Sequence, residues 1–145
     1  MTRTISVARH IDAPPDAVWA VLADFPNIAA WNSGVKTSYA TSATIEGVGA
    51  RRHCDLAPMG TLEETVREWE PGRRMVVSID EARRLPLRTA TATFVVEPAA
   101  AGTEVSIEYT YDPQGPVGPV MDRQLTKGFT GFLADLERAA TASTG

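Results

Sequence analysis

One cysteine, Cys54, excludes an internal disulfide, and two histidines, His10 and His53, stand too far apart for a zinc-type ligand set. No stretch approaches the roughly 18 apolar residues of a membrane span, so any lipid contact is expected through a pocket or a surface. The N-terminal "MTRTISVARHIDAP" lacks the uninterrupted apolar segment of a secretion signal, and the expected compartment is the cytoplasm. Basic charge is not in excess. Fourteen Lys and Arg against eighteen Asp and Glu give a net charge of −4, which argues against a phosphate-tracking surface and against nucleic acid as a partner. The pairs Arg51-Arg52, Arg73-Arg74 and Arg83-Arg84 are separated by acidic residues and read as a mixed-charge, solvated face. "EGVGARR" lacks the lysine and spacing of a phosphate loop, and no G-x-S-x-G elbow occurs, so no cofactor or metal is implied.

What is present suits one folded domain over residues 1–145, with 43% hydrophobic and 22% charged residues. "TISVARHID" alternates Ile5, Val7 and Ile11 against polar neighbours, with Arg9 interrupting the apolar face, and predicts a half-buried strand. The period then lengthens. Pro14-Pro15 and Asp16 suit a helix start, Val18, Trp19 and Leu22 form its apolar stripe, and Pro26 stops it; Asn27–Trp31 can form a second short helix. Six strands follow near Val35–Ala43, Ala50–Ala57, Thr61–Glu70, Arg74–Glu81, Leu87–Glu97 and Thr103–Asp112. The short turns between them, such as "APMG" and "EPGRR", favour antiparallel neighbours.

A long helix is expected from Val117 to Ala142, followed by fraying in the small-residue tail "TASTG". Leu125, Phe129, Phe132, Leu133 and Leu136 recur at spacings of three and four, yet Gly128 and Gly131 interrupt the pattern at about 1 kcal/mol each relative to Ala. One antiparallel sheet and one long helix each have an apolar side, so the helix should lie across a sheet face in an α+β fold.

The strings "IDAPPDAVWAVLADFPNIAAW", "GVGARR", "GTLEETVREWEPGRRM" and "GTEVSIEYTYDPQGPVGPVMDR", in this order over nearly the whole chain, resemble the START-like helix-grip (SRPBCC) superfamily. Within it, the resemblance is to the group named for polyketide cyclases, dehydrases and lipid transport. It implies a curved seven-stranded antiparallel sheet wrapped around the long C-terminal helix, with two short helices after the first strand and an apolar cavity in between. The implied partner is a small hydrophobic or amphipathic molecule for storage, transport or presentation; a cofactor-independent cyclase or dehydratase and a protein-interaction module are the alternatives. Rieske-type ligation, seen elsewhere in the superfamily, needs cysteines this chain lacks. Gly128 and Gly131 then have two readings: close approach of the helix to the sheet, or room beside a ligand.

Alternation assigns side chains to the cavity. Val105, Ile107, Tyr109 and Tyr111 share the inward face of the last strand, and Phe94, Ala92, Ala90 and Arg88 that of the strand before it. In "TLEETVREWE", Leu62 and Val66 set the inward side, which brings Glu64, and by the same parity Glu68, beneath the helix. A buried carboxylate is costly unless paired, so Glu64 and Arg88 are expected to face one another as the cavity's polar floor or rim. Met121, Leu125 and Phe129 add lining from the helix. The candidate catalytic residues are Glu64 as acid or base, with Arg88, Tyr109 and Tyr111 able to stabilise an enolate oxygen. Cys54 shares a face with Arg52 and Leu56 and reads as a small buried residue, with His53 on the opposite side.

Overall fold

A computed structural model describes residues 2–142. Strand β1 (Arg3–Ile11) buries Ile5 and Ile11. Pro15, which has no N–H to leave unsatisfied, occupies the first turn of α1 (Pro15–Ala23), and Pro26 falls in a following 3-10 helix (Phe25–Ala30). Strands β2 (Thr37–Ala40), β3 (Arg51–Asp55), β4 (Thr61–Glu70), β5 (Arg74–Arg83), β6 (Leu87–Ala99) and β7 (Gly102–Pro113) precede helix α2 (Gly118–Ala142). All seven strands form one antiparallel sheet in the order β1-β7-β6-β5-β4-β3-β2. The meander from β2 to β7 is thus consecutive, and β1 closes it at β7, as the short turns imply.

The boundaries differ most at β2, which spans four residues instead of the expected nine. Its one sheet neighbour is β3, so the ladder ends where β3 ends. Of the tail expected to fray, Thr141 and Ala142 continue α2, and residues 143–145 lie outside the described residues.

Two ion pairs hold α2 alongside β1. Arg3 donates from Nε and Nη2 to Asp122, at 3.1 and 2.6 Å, and Arg9 donates to Glu137 at 3.1 and 2.7 Å. The spacings match: six residues of strand rise about 20 Å, and the fifteen helical residues from 122 to 137 rise about 22 Å. Arg9, which broke the apolar pattern of β1, is therefore one of the two fastenings. Gly128 and Gly131 fall between them, where an added Cβ would meet nothing within 4 Å at either position. Close approach of the helix backbone to the sheet is not their role, because both positions face open space.

The β4–β5 ladder is irregular twice: Asp80 of β5 is left over opposite Glu63 and Glu64, and Arg67 of β4 is left over between Val66 and Glu68. After the second, Glu68 is exposed and paired with Arg74, while Trp69 turns in to meet Trp19 edge-on at 5.3 Å between ring centroids. The inward placement expected of Glu68 fails because a bulge adds one residue and inverts the faces beyond it.

Candidate functional site

Between the concave sheet face and α2 lies an apolar cavity of about 490 Å³. Its walls come from β3, β4, β6 and β7, from α2, and from three loops at its mouth, over residues 32–35, 56–59 and 84–86. Of the residues expected to line it, Glu64, Ala92, Phe94, Tyr109, Met121, Leu125 and Phe129 do so. Val66 and Ala90 also point inward but are buried in packing, at 0% and 5% exposure. Gly128 borders the cavity, whereas Gly131 is not part of its lining.

Glu64 is buried, and its partner is Arg52, not Arg88. Arg52 and Glu64 sit opposite each other in the β3–β4 ladder, and Arg52 Nε donates to Glu64 Oε1 at 2.7 Å. Its Nη1 donates to the Phe25 carbonyl at 2.9 Å, and its guanidinium carbon lies 3.8 Å from the centre of the Phe25 ring, a cation–π distance. The 3-10 helix thus orients the arginine and β3 presents it to Glu64. Cys54 Sγ lies 3.5 Å from the same Oε1. Burial, reinforced by the Glu64 charge, pushes its thiol pKa far upward, which favours the protonated thiol at the cavity wall.

Arg88 is exposed. The β6–β7 register steps from Leu87 opposite Pro113 to Thr89 opposite Asp112, leaving Arg88 as the extra residue of a bulge. Leu87 takes the inward position and Arg88 turns to solvent, which corrects the expected Glu64–Arg88 pairing.

The two tyrosines divide into different roles. Tyr111 is sealed from the cavity: its hydroxyl donates to Asp122 Oδ1 at 2.5 Å and lies 3.2 Å from the Gly118 carbonyl, and burial with the Asp122 bond pushes its pKa up to about 12. It joins Arg3 and Asp122 in fastening the start of α2. Tyr109 lines the cavity, its ring 4.8 Å from that of Phe129, and its hydroxyl has no hydrogen-bond partner among the described residues. Burial and the nearby Glu64 charge raise its pKa, so the phenol keeps its proton and can donate. Glu64 Oε2 likewise has no partner among the described residues, and neither atom is sealed off. One acceptor and one hydroxyl therefore remain unused on a largely apolar wall, to which Gln124 and Arg84 add further polar groups.

The mouth is held in place from two sides. Asp135 of α2, itself buried, accepts from both the Ser33 N–H and the Ser33 hydroxyl at 2.8 Å, tying the turn at residues 32–34 to the helix. Opposite, the turn containing Gly60 presses against the β5–β6 hairpin: a Cβ on Gly60 would stand 2.1 Å from the Arg83 carbonyl oxygen. Arg84, next in the chain, has a left-handed backbone at φ 67 and reaches the cavity mouth.

A second groove, about 560 Å³, lies on the outer side of β3 and β4. Its His53 contacts Glu63 and stacks on Tyr39 at 4.9 Å, and Asp55 accepts the Ala57 N–H. These polar groups already have partners, and the groove's lining is more polar than that of the inner cavity. No group of three or more His, Cys, Asp or Glu among the described residues could hold a metal ion.

Sequence reasoning missed Arg52 and Arg84. The first was legible in part, because alternation already placed Arg52 on the Cys54 side. Centring the hairpin on Pro58 would have put residue 52 opposite residue 64. Arg84 carries no periodic signal, since it sits in a turn.

The family described as polyketide cyclase / dehydrase and lipid transport matches residues 2–141. The chain belongs to that family. The polyketide cyclase / dehydrase and lipid transport fold is shared with TTHA0849 from Thermus thermophilus at a TM-score of 0.84 and 20% identity, covering 99% of this chain and 100% of that one. It is shared also with Ara h 8.0201 at a TM-score of 0.80 and 10% identity, covering 98% and 99%. At these identities the likeness is one of fold, and it bears out the curved seven-stranded sheet gripping the C-terminal helix. No curated protein sequence matches the chain.

Proposed function

We propose that this member of the polyketide cyclase / dehydrase and lipid transport family binds a small hydrophobic or amphipathic molecule in the cavity between its sheet and α2. The observation that carries the reading is an apolar cavity of about 490 Å³ whose wall leaves Glu64 Oε2 and the Tyr109 hydroxyl unbonded. Apolar walls supply the binding free energy, and a few convergent polar atoms fix orientation. An open interior of this size favours a ligand over the protein-interaction alternative, which calls for a filled core. Among the described residues no helix is long and apolar enough to cross a membrane.

Glu64 and Tyr109 also support a second reading, a cofactor-independent cyclase or dehydratase. Tyr109, with its raised pKa, would donate to a developing enolate oxygen, and Glu64 would move the proton. Incubation of the purified protein with a cell extract, native mass spectrometry and denaturing release of the bound molecule distinguish the two. A molecule recovered unchanged supports a carrier. Its conversion to a dehydrated or cyclised product, abolished by Tyr109→Phe, supports the enzyme, and a protein that retains nothing from any extract overturns both.

A further inference from the structure

The charged residues lining the cavity, among those described, are Arg52, Glu64 and Arg84. The first two neutralise one another across the β3–β4 ladder at 2.7 Å. Arg84 is left over. Its side chain has no ion pair or hydrogen bond among the described residues, although Arg83 beside it is paired with Glu81. Asp55 and Glu63, which line the outer groove that Arg84 also borders, are held by the Ala57 N–H and by His53. A protein of net charge −4 thus presents an uncompensated positive charge at the mouth of its apolar cavity.

The backbone at that point is strained in a definite way. Arg84 adopts φ 67, a region that disfavours residues with a Cβ. The constraint is local: Gly60 allows its turn to abut the Arg83 carbonyl, and the hairpin tip is seated against it.

From these observations we infer that the natural ligand is an anionic amphiphile with two polar ends: a hydroxyl that enters first, to Glu64 and Tyr109, and an anionic group that stays at the mouth with Arg84. The inference rests on the proposed cavity function and adds the ligand's class and direction. A hydroxyl can donate to Glu64 Oε2 and exchange hydrogen bonds with Tyr109, whereas an inward carboxylate would meet Glu64 as a like charge. At the mouth, Arg84 keeps most of its hydration and still attracts an anion.

Isothermal titration with 10-hydroxydecanoate, decanoate and 1-decanol separates these contributions, because the flexible chain adapts to the span. For the native protein, 10-hydroxydecanoate should bind roughly two- to fivefold more tightly, the range of an exposed ion pair, than 1-decanol, which carries the same hydroxyl without the anion; the advantage should shrink with added salt. The hydroxyl of 10-hydroxydecanoate should add about tenfold over decanoate, since it meets a charged acceptor. Arg84→Gln should erase the carboxylate advantage and leave 1-decanol unchanged; Tyr109→Phe should reduce the hydroxyl advantage and leave decanoate unchanged. Equal binding of 10-hydroxydecanoate and 1-decanol, or a carboxylate advantage that survives Arg84→Gln, overturns the inference while the cavity function stands. Failure of all three molecules to bind overturns the cavity function itself, and the inference with it.

Discussion

Replacing Arg52 by Met should cost this protein a large part of its stability, and replacing Glu64 as well should return much of it. The two side chains are 7% and 9% exposed, so loss of either leaves a buried group without its partner. Breaking a buried ion pair by removing one member costs about 3–5 kcal/mol. The cavity gives Glu64 some access to water, which sets the expected loss for Arg52→Met near the lower end, about 3 kcal/mol, against a total of about 5–15 kcal/mol for a domain. At about 2–4 °C per kcal/mol for a chain of this size, the melting temperature should fall by about 6–12 °C. In Arg52→Met/Glu64→Leu no charge is stranded, and the remaining cost is the Phe25 carbonyl that lost its donor, about 1–3 kcal/mol. Urea unfolding followed by fluorescence of Trp19, Trp31 and Trp69 measures the cycle. Losses below about 1 kcal/mol for the single variants, or additivity within about 0.5 kcal/mol, would refute the pair as a coupled buried element.

Gly128→Ala and Gly131→Ala should each stabilise the protein by up to about 1 kcal/mol, since the helix gains propensity and the methyl group meets nothing; only the first should alter ligand binding, and a loss of stability at both would show hidden contacts. Gly60→Ala should lose about 1–3 kcal/mol and displace the Arg84 turn, because its Cβ would collide with the Arg83 carbonyl; unchanged melting temperature and ligand affinity would contradict that geometry. Tyr111→Phe should lower stability by about 1–2 kcal/mol without changing affinity, while Tyr109→Phe should do the opposite; paired thermal melts and titrations test the division. Acid should weaken the fastening of α2. The Arg3 guanidinium holds the Asp122 carboxyl below its ordinary 3.8, and the Asp12 N–H with Arg9 holds Glu137 below 4.5. With folded pKa values below unfolded ones, their stabilisation is full above the unfolded values and is lost as pH falls through the folded ones. Urea midpoints should therefore decline on the acid side, and Glu137→Gln should make that decline shallower; an identical slope would remove Glu137 from the account.

The local pattern carried most of the fold. Alternation in "TISVARHID" and "TEVSIEYTY" depends on the two-residue strand period, and the spacing of Phe129, Phe132, Leu133 and Leu136 on the helical period, both properties of backbone geometry. Turn residues set the antiparallel order, and Arg9, Pro15 and Cys54 could be placed from their neighbours alone. The same reasoning failed at Glu68 and Arg88, where a bulge inserts one residue and reverses every side chain beyond it. Nothing local marks these bulges, because they arise from fitting one strand to the curvature of its neighbours.

The partners of charged groups were decided in three dimensions. Sequence alone determined that a carboxylate at residue 64 would face inward and need compensation. Only the β3–β4 register decided that Arg52, twelve residues earlier, supplies it, and that Phe25 holds the arginine in place. Tyr109 and Tyr111 are equivalent by alternation, yet one meets the cavity and the other meets Asp122 at the start of α2. The difference comes from where the helix is fastened along β1, which joins residues more than a hundred positions apart in the chain. Periodicity states which side of an element a residue occupies, while its contacts depend on what the rest of the chain brings to that side.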